Sequence, residues 1–237
     1  MAALVRRHDP DRFLTALFAP AARREALFTL YAFNHELARA REMAREPTMA
    51  LIRLQWWREV VEGARRRHEV AGPLGDALDA GQLRAADLEG MIAGREAEAD
   101  GIGTMEDWRA YVLATAGGVA AAAVGALAVD APDAPVRALG AAYGAAGILR
   151  ATPALARQGR SLVPDELAGQ PDAPEQLRRQ GLAWLAEGRA TPIPRAARPA
   201  VLVAALAQRD LRRSTPAPTP RGLGDRLAVL RAALAGV

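Results

Sequence analysis

The stretch Gly147-Ile-Leu-Arg-Ala-Thr-Pro-Ala-Leu-Ala-Arg-Gln-Gly-Arg-Ser-Leu-Val-Pro164 decides how this chain is expected to fold. Its first residues continue a run rich in alanine and glycine, which favours a packed helix. Pro153 lacks a backbone N–H and clashes with the carbonyl four residues earlier, and it also pushes Thr152 away from helical dihedral angles. The stretch therefore predicts a helix that ends near Pro153.

A second segment, Tyr31-Ala-Phe-Asn-His-Glu-Leu-Ala-Arg-Ala-Arg-Glu42, completes the pattern. Together the two segments resemble the squalene/phytoene synthase family, in which the first reads Tyr-Ala-Phe-Cys-Arg before an Asp-Asp-x-x-Asp run. The second reads Ile-Leu-Arg-Asp-x-x-Glu-Asp there, followed by Gly-Arg and Leu-Pro. The resemblance runs from residue 11 to residue 164. It implies an all-α fold, a single multi-helix bundle of the isoprenoid (terpenoid) synthase type over residues 1–237.

The acids of the two family motifs bind Mg²⁺, which neutralises the departing diphosphate. Mg²⁺ prefers hard oxygen ligands, and its Lewis acidity lowers the barrier by several kcal/mol. Of the six positions that carry these acids in the family, only the one occupied by Glu42 still has an acid in this chain. The other five positions carry Ala38, Arg39, Ala151, Ala154 and Leu155. The resemblance therefore implies a scaffold without its metal clamp, and neither a metal site nor a cofactor is expected.

One branch of the family, that of NADH dehydrogenase (complex I) assembly factor 6 and its bacterial relatives, shows the same departures. It resembles this chain over Ala32–Ala38, Leu54–Glu62 and Leu149–Pro153. This resemblance implies a catalytically silent homologue that assists complex I assembly by binding a subunit, an assembly intermediate, or an isoprenoid- or lipid-like ligand. The alternative is an active, Mg²⁺-dependent prenyl-diphosphate transferase of isoprenoid biosynthesis, with a displaced metal site recruited from Glu42, Glu98 and Asp100.

Several charged and polar residues are expected to line the pocket that the lost active site leaves behind. Glu36 is expected to pair with Arg39 or Arg58. The arginines of the second segment suit an anion site because guanidinium groups bind phosphate in a bidentate manner, but a solvated or salt-bridged face explains them equally well. The full set is Glu36, Arg39, Glu42, Gln55, Arg58, Arg150, Arg157 and Arg160. Trp57, by contrast, is expected in the core.

Composition limits the function further. The chain has 237 residues, a formal charge of +4, no cysteine and no lysine, so all 31 basic residues are arginine. This excludes Schiff-base and P-loop lysines, thiolate nucleophiles and cysteine zinc sites. The three histidines are scattered along the sequence. Arg65–Arg67 could contact anionic lipid, although a solvated helix end is the simpler interpretation, and no aromatic or glycine-rich motif accompanies it to indicate a nucleic-acid partner.

The uncharged segment Tyr111–Val129 approaches the length of a membrane span, but its alanines and glycines favour a buried central helix. Without a secretion signal, the chain is expected in the cytoplasm, with peripheral contact at the inner face of the inner membrane. Gly140, Gly144 and Gly147 are spaced for close helix packing. Helices are predicted to begin near Pro20, Pro47, Leu74, Ala85, Thr104, Pro132, Pro174, Pro194 and Gly222, with an extended connector over 214–222.

Overall fold

The computed structural model describes residues 1–44, 46–213 and 221–237. These residues contain helices and no β-strand, which confirms the all-α prediction. The helices are α1 (Ala2–His8), α2 (Pro10–Ala16), α3 (Ala21–Glu42), α4 (Pro47–Val61), α5 (Ala71–Asp79), α6 (Ala85–Asp100), α7 (Met105–Val112), α8 (Gly118–Leu127), α9 (Asp133–Arg157), α10 (Ala173–Arg189), α11 (Arg198–Val201), α12 (Val203–Leu211) and α13 (Leu223–Ala235).

Local signals in the sequence account for several of the helix starts. Pro47 occupies the first turn of α4, where its missing N–H would be unpaired in any case. At α7, Thr104 and Asp107 form a reciprocal capping box: the Asp107 N–H donates to Thr104 Oγ1 at 3.1 Å, and the Thr104 N–H donates to Asp107 Oδ2 at 3.0 Å. Both helix starts were predicted from the sequence.

The prediction that the helix ends near Pro153 is wrong, because α9 continues one further turn to Arg157. Thr152 stays helical, and its Oγ1 donates a 2.9 Å hydrogen bond to the carbonyl of Ile148. Leu155 is buried in the last turn. Burial of this side chain outweighs the single hydrogen bond that Pro153 removes, so packing overrides local propensity here.

The α7 and α8 helices form one continuous rod through a π-helical turn at Leu113–Gly117. Thr115 Oγ1 donates a 2.7 Å hydrogen bond to the carbonyl of Tyr111 inside this turn. By length and composition the whole segment Met105–Leu127 could cross a membrane, but 72% of its most apolar window is buried inside the protein. This agrees with the expected central core helix.

Helix α9 lies at the centre of the bundle and contacts α8, α10 and α12. Its approach to the π-helical turn depends on Gly140, where an added Cβ would lie 2.6 Å from the carbonyl oxygen of Ala116. Gly144 faces the same turn equally closely, as expected from its spacing. Gly147 differs, because an added Cβ there would meet nothing within 4 Å. The predicted close contact at Gly147 is therefore wrong.

Other boundaries differ from the sequence prediction in detail. Helix α5 begins at Ala71, so Gly72 and Pro73 belong to its first turn, where a missing N–H costs little. The predicted helix over 194–211 is divided into a 3₁₀ turn (Arg195–Ala197), α11 and α12. Trp57 is buried as predicted and packs edge-on against Phe33, with ring centroids 5.4 Å apart. The predicted connector lies mostly outside the described residues.

Candidate functional site

A cluster of buried charged and polar side chains surrounds Glu98 of α6, whose side chain is 5% exposed. Arg95 lies one turn before it on α6 and donates a 2.6 Å hydrogen bond from Nη1 to Glu98 Oε1. The hydroxyl of Tyr111, on α7, donates to the same oxygen at 2.7 Å. Arg95 Nη1 also lies 3.1 Å from the Tyr111 hydroxyl, so the three side chains form a closed triangle.

Arg160 completes this arrangement from the loop after α9. Gly159 adopts a left-handed φ of 68°, and the N–H of Arg160 then bonds back to the carbonyl of Leu155 at 3.0 Å. Farther along the loop, the N–H of Asp165 bonds to the carbonyl of Ile102 at 2.8 Å. The loop is thus fixed at both ends, and Arg160 Nη2 lies 3.8 Å from Glu98 Oε2. We call Arg95, Glu98, Tyr111 and Arg160 the pocket cluster.

The pocket cluster carries more positive than negative charge. Burial and the neighbouring Glu98 raise the pKa of Tyr111, although Arg95 opposes this shift, so the phenol stays neutral. Burial would lower the pKa of Arg95, but Tyr111 and Glu98 outweigh it and the pKa is raised. Two guanidinium groups therefore share one carboxylate. Nη1 of Arg160 is buried and has no hydrogen-bond partner among the described residues. An acceptor, such as an anionic oxygen, is the group that this donor lacks.

Two further arginine–acid pairs lie near the pocket cluster, on α3 and between α4 and α6. Arg39 donates to Glu36 at 3.0 Å, which realises one of the two pairings expected for Glu36. Arg58 instead bonds to Glu96 at 2.9 Å and to the amide oxygen of Gln55 at 3.1 Å. Each acid here therefore already has a cation partner.

Glu42 is exposed at the end of α3. Two turns before Glu42 on the same helix, His35 stacks on His8 of α1, with ring centroids 4.3 Å apart and planes inclined by 18°. Burial and the His8 charge lower the pKa of His35, while Glu36 and Glu42 oppose the shift. The fold thus brings together two histidines that are 27 positions apart in the sequence.

Arg150 does not join the pocket cluster. It faces the other side of α9, where its Nη1 bonds to Asp210 Oδ2 of α12 at 3.1 Å. Arg221 bonds both to Asp210, at 2.9 Å, and to Asp11 of α2, at 2.8 Å. Arg213 adds a 3.4 Å contact to Asp210. We call these five residues the C-terminal network.

Arg157 is exposed at the end of α9 and makes no ion pair within the described ranges. The three arginines of the second segment therefore have three different surroundings. Arg150 and Arg157 are seven positions, or about two turns, apart on α9, so that one lies against α12 and the other at the exposed helix end. The turn at Gly159 then directs Arg160 onto Glu98. That the eight residues line a pocket stays a prediction, and the structure brings only Arg160 directly onto Glu98.

The donor set does not suit the Mg²⁺ ion that the family motifs would hold. Within the described residues, no three His, Cys, Asp or Glu side chains converge as a metal site would require. Glu98 already accepts from Arg95 and Tyr111, and Glu36 accepts from Arg39. The negative charge of each of these carboxylates is therefore already balanced by a guanidinium group, which opposes binding of a second cation.

Sequence reasoning named Glu98 only as an acid that an active enzyme could recruit, and it missed Arg95 and Tyr111 as site residues. Arg95 and Glu98 are three positions apart on one helix, which is the spacing of neighbouring side chains. That spacing could have predicted the Arg95–Glu98 ion pair from the sequence. No such pattern marked Tyr111, because it starts an uncharged segment whose composition indicates a core helix.

Comparison with known proteins identifies the family and the fold. The family model described as squalene/phytoene synthase matches residues 5–182. Over 59 residues the chain is 41% identical to human NADH dehydrogenase (ubiquinone) complex I, assembly factor 6, and 39% identical to the bovine protein. Each match covers 25% of this chain and spans 18% of the length of the relative.

Solved structures show the same fold over nearly the whole chain. A dehydrosqualene synthase crystallised with a ligand superposes with a TM-score of 0.78 at 16% identity, covering 99% of this chain and 94% of that one. Squalene synthase HpnC from Alicyclobacillus acidocaldarius gives a TM-score of 0.69 at 17% identity, covering 99% and 92%. At this level of identity the likeness concerns the fold alone.

Proposed function

The chain belongs to the squalene/phytoene synthase family, and we propose that it is a catalytically silent member that acts by binding, as an assembly factor for respiratory complex I. The similarity to assembly factor 6 supports the choice of process, although it covers only a quarter of the chain. The pocket residues support the absence of synthase chemistry.

The observation that carries the proposal is that five of the six motif positions lack an acid, while Glu98, which a displaced metal site could recruit, is bonded to an arginine and a tyrosine. Ionising an allylic diphosphate requires its leaving group to be neutralised, and Mg²⁺ held by carboxylates does this in the family. Here Ala151 and Ala154 offer methyl groups on α9. Glu36 of α3 and Glu98 of α6 are bonded to Arg39 and Arg95.

Binding is the chemistry left to such a site. The unpaired Nη1 of Arg160 and the surplus positive charge of the pocket cluster suit an anionic oxygen of a ligand. That oxygen could belong to a carboxylate of a maturing subunit or assembly intermediate, or to the head of an isoprenoid- or lipid-like molecule. In this proposal the protein works in the cytoplasm, at the inner face of the inner membrane.

A deletion strain tests the role in the cell. We expect assembled complex I, resolved on native gels, and NADH-linked respiration to fall, while succinate-linked respiration and isoprenoid products stay near normal. Expression of the wild-type chain should restore complex I. The Glu42→Gln variant should restore it equally well, since Glu42 is the one motif acid that an active enzyme would still use.

A turnover assay tests catalytic silence separately. Purified protein is incubated with Mg²⁺ and with farnesyl or geranylgeranyl diphosphate, and pyrophosphate release is measured. We expect no release above the buffer control. Metal-dependent release that is abolished by Glu42→Gln, together with missing isoprenoid products and normal complex I in the deletion strain, would establish the transferase alternative.

A further inference from the structure

Helix α13 exposes a stripe of four leucines. Leu223, Leu227, Leu230 and Leu234 are between 44% and 78% exposed, which is unusual for such large apolar side chains on one short helix. At 3.6 residues per turn, they fall within an arc of about 60°. The opposite face carries Val229, which is fully buried against α12. The helix is therefore anchored by one face and presents a continuous apolar face outward.

Arginines flank the stripe on both sides. By the same helical geometry, Arg226 lies along one edge of the leucine arc and Arg231 along the other. Both are exposed. The only acid of α13, Asp225, is buried and accepts a 2.7 Å hydrogen bond from Arg209. The outer surface of the helix is thus apolar in the middle and cationic at its edges.

On the Arg231 side, the stripe borders a groove of about 590 Å³ between α10, α12 and α13. Besides alanines of α13, its lining includes five arginines: Arg189, Arg209, Arg212, Arg213 and Arg231. Arg212 and Arg231 make no ion pair within the described ranges. Burial and the nearby Arg212 charge lower the pKa of Arg189, which reflects how little negative charge the groove holds.

We propose that α13 and this arginine groove dock the protein on an anionic lipid bilayer, with the leucines in the acyl boundary and the arginines on lipid phosphates. An amphipathic helix with an apolar face and a basic polar edge binds membranes in this orientation, lying in the interface plane. Anionic lipid attracts each arginine near the surface. Docking of this kind is a property separate from the pocket cluster and does not depend on its role.

A second copy of the chain is a poorer occupant of this surface. Leucines at four- and three-residue spacing can pair helices, but acidic and basic residues normally alternate along the edges of such pairs. Here both edges carry arginine and no exposed acid, so two copies would place like charges next to each other. A bilayer that supplies negative charge fits both edges at once.

The Arg65–Arg67 cluster, which the sequence suggested for lipid contact, fits less well. Arg65 forms ion pairs with Asp76 and Asp79, and Arg66 pairs with Glu59 at 2.6 Å. Acids therefore neutralise most of that cluster, whereas the arginines beside α13 have few such partners. The Arg65–Arg67 cluster can therefore serve as a control for the arginines beside α13.

Vesicle flotation tests the proposal with the full chain. Binding is measured to phosphatidylcholine vesicles and to vesicles that also contain phosphatidylglycerol, at low and high salt. We expect binding only to the anionic vesicles, weakened by salt. The double variant Leu227→Ser with Leu230→Ser should lower the partition coefficient about tenfold or more. Arg212→Gln with Arg231→Gln should lower it about fivefold per arginine and reduce its salt dependence.

The matched controls are Ile52→Ser with Leu17→Ser, two exposed apolar residues elsewhere, and Arg66→Gln. Neither should change binding. Circular dichroism and thermal unfolding verify that each variant is folded, which we expect because all the replaced side chains are exposed. Wild-type vesicle binding that is absent, or that survives the leucine double variant, overturns the proposal. A dimer in light scattering without lipid that the leucine variant abolishes overturns it in favour of self-association.

Discussion

The pocket cluster and the C-terminal network use the same chemistry for different ends. Both bring arginines from separate parts of the chain onto a buried carboxylate, Glu98 in one and Asp210 in the other. In the network, Arg221 bonds to two carboxylates at 2.8–2.9 Å, joining α2, α12 and the residues before α13. In the pocket cluster, Arg160 stays 3.8 Å from Glu98, and its buried Nη1 has no hydrogen-bond partner in the part of the chain that the structure describes. Paired guanidinium groups fasten the bundle, and the unpaired one is available to a ligand.

Removing the central acid of the network should produce the largest effect. Asp210→Asn leaves Arg150, Arg213 and Arg221 without their shared charge partner at a site where the Asp210 side chain is only 4% exposed. We expect the free energy of unfolding to fall by about 3 kcal/mol. Urea unfolding measures it. The control Asp133→Asn removes an exposed pair with Arg137 and should cost less than about 1 kcal/mol. Equal effects of the two variants would contradict the fastening role.

Glu98→Gln, in the pocket cluster, should have a smaller effect than Asp210→Asn. Arg95 and Arg160 would then face each other without a carboxylate, and we expect a loss of about 2 kcal/mol in unfolding free energy. Pyrophosphate should recover more stability in this variant than in the wild type, because both arginines become free to bind it. Thermal unfolding with and without pyrophosphate measures this difference. Glu96→Gln, at a partly buried pair with Arg58, is the control. A variant indifferent to pyrophosphate would contradict an anion site here.

Arg160→Leu sharpens the contrast with Arg221→Leu. Arg160 Nη1 has no hydrogen-bond partner to lose among residues 1–44, 46–213 and 221–237, so replacing Arg160 should change the unfolding free energy by less than about 1 kcal/mol. Arg221→Leu removes contacts to two carboxylates and should cost about 3 kcal/mol. Urea unfolding of both variants decides the comparison. If Arg160→Leu proved the more destabilising, Arg160 would be a fastening residue like Arg221.

The smallest expected effect is a pH dependence from His35. Its pKa is lowered in the fold from the ordinary value of 6.5, chiefly by burial and then by His8. The fold therefore favours the neutral ring, so this contribution to stability is complete above pH 6.5 and is lost as the pH falls through the lowered pKa. We expect His35→Gln to flatten the loss of stability below pH 6.5 by a few tenths of a kcal/mol, measured by urea unfolding across that range. An unchanged pH profile would contradict it.

Sequence alone predicted the fold and most helix starts, because caps, prolines and the family segments are local signals. It failed at Pro153, where burial of Leu155 carries the helix one turn further. It also grouped Arg150 with Arg160, although the turn at Gly159 sends them to different clusters. Such pairings depend on tertiary geometry. No local sequence pattern predicted the stacking of His8 on His35 or the hydrogen bond from Tyr111 to Glu98.

The π-helical turn at Leu113–Gly117 has a consequence for chain length. A π turn accommodates one residue more than an α turn without breaking the rod. Tyr111 therefore faces Glu98 on one side of the turn, while Gly117 faces α9 on the other side. A chain one residue shorter at this point would wind as an uninterrupted α-helix and present the same two faces to the same neighbours. This turn is the place in the core where the length of the polypeptide can change by a single residue while both halves of the bundle keep their register.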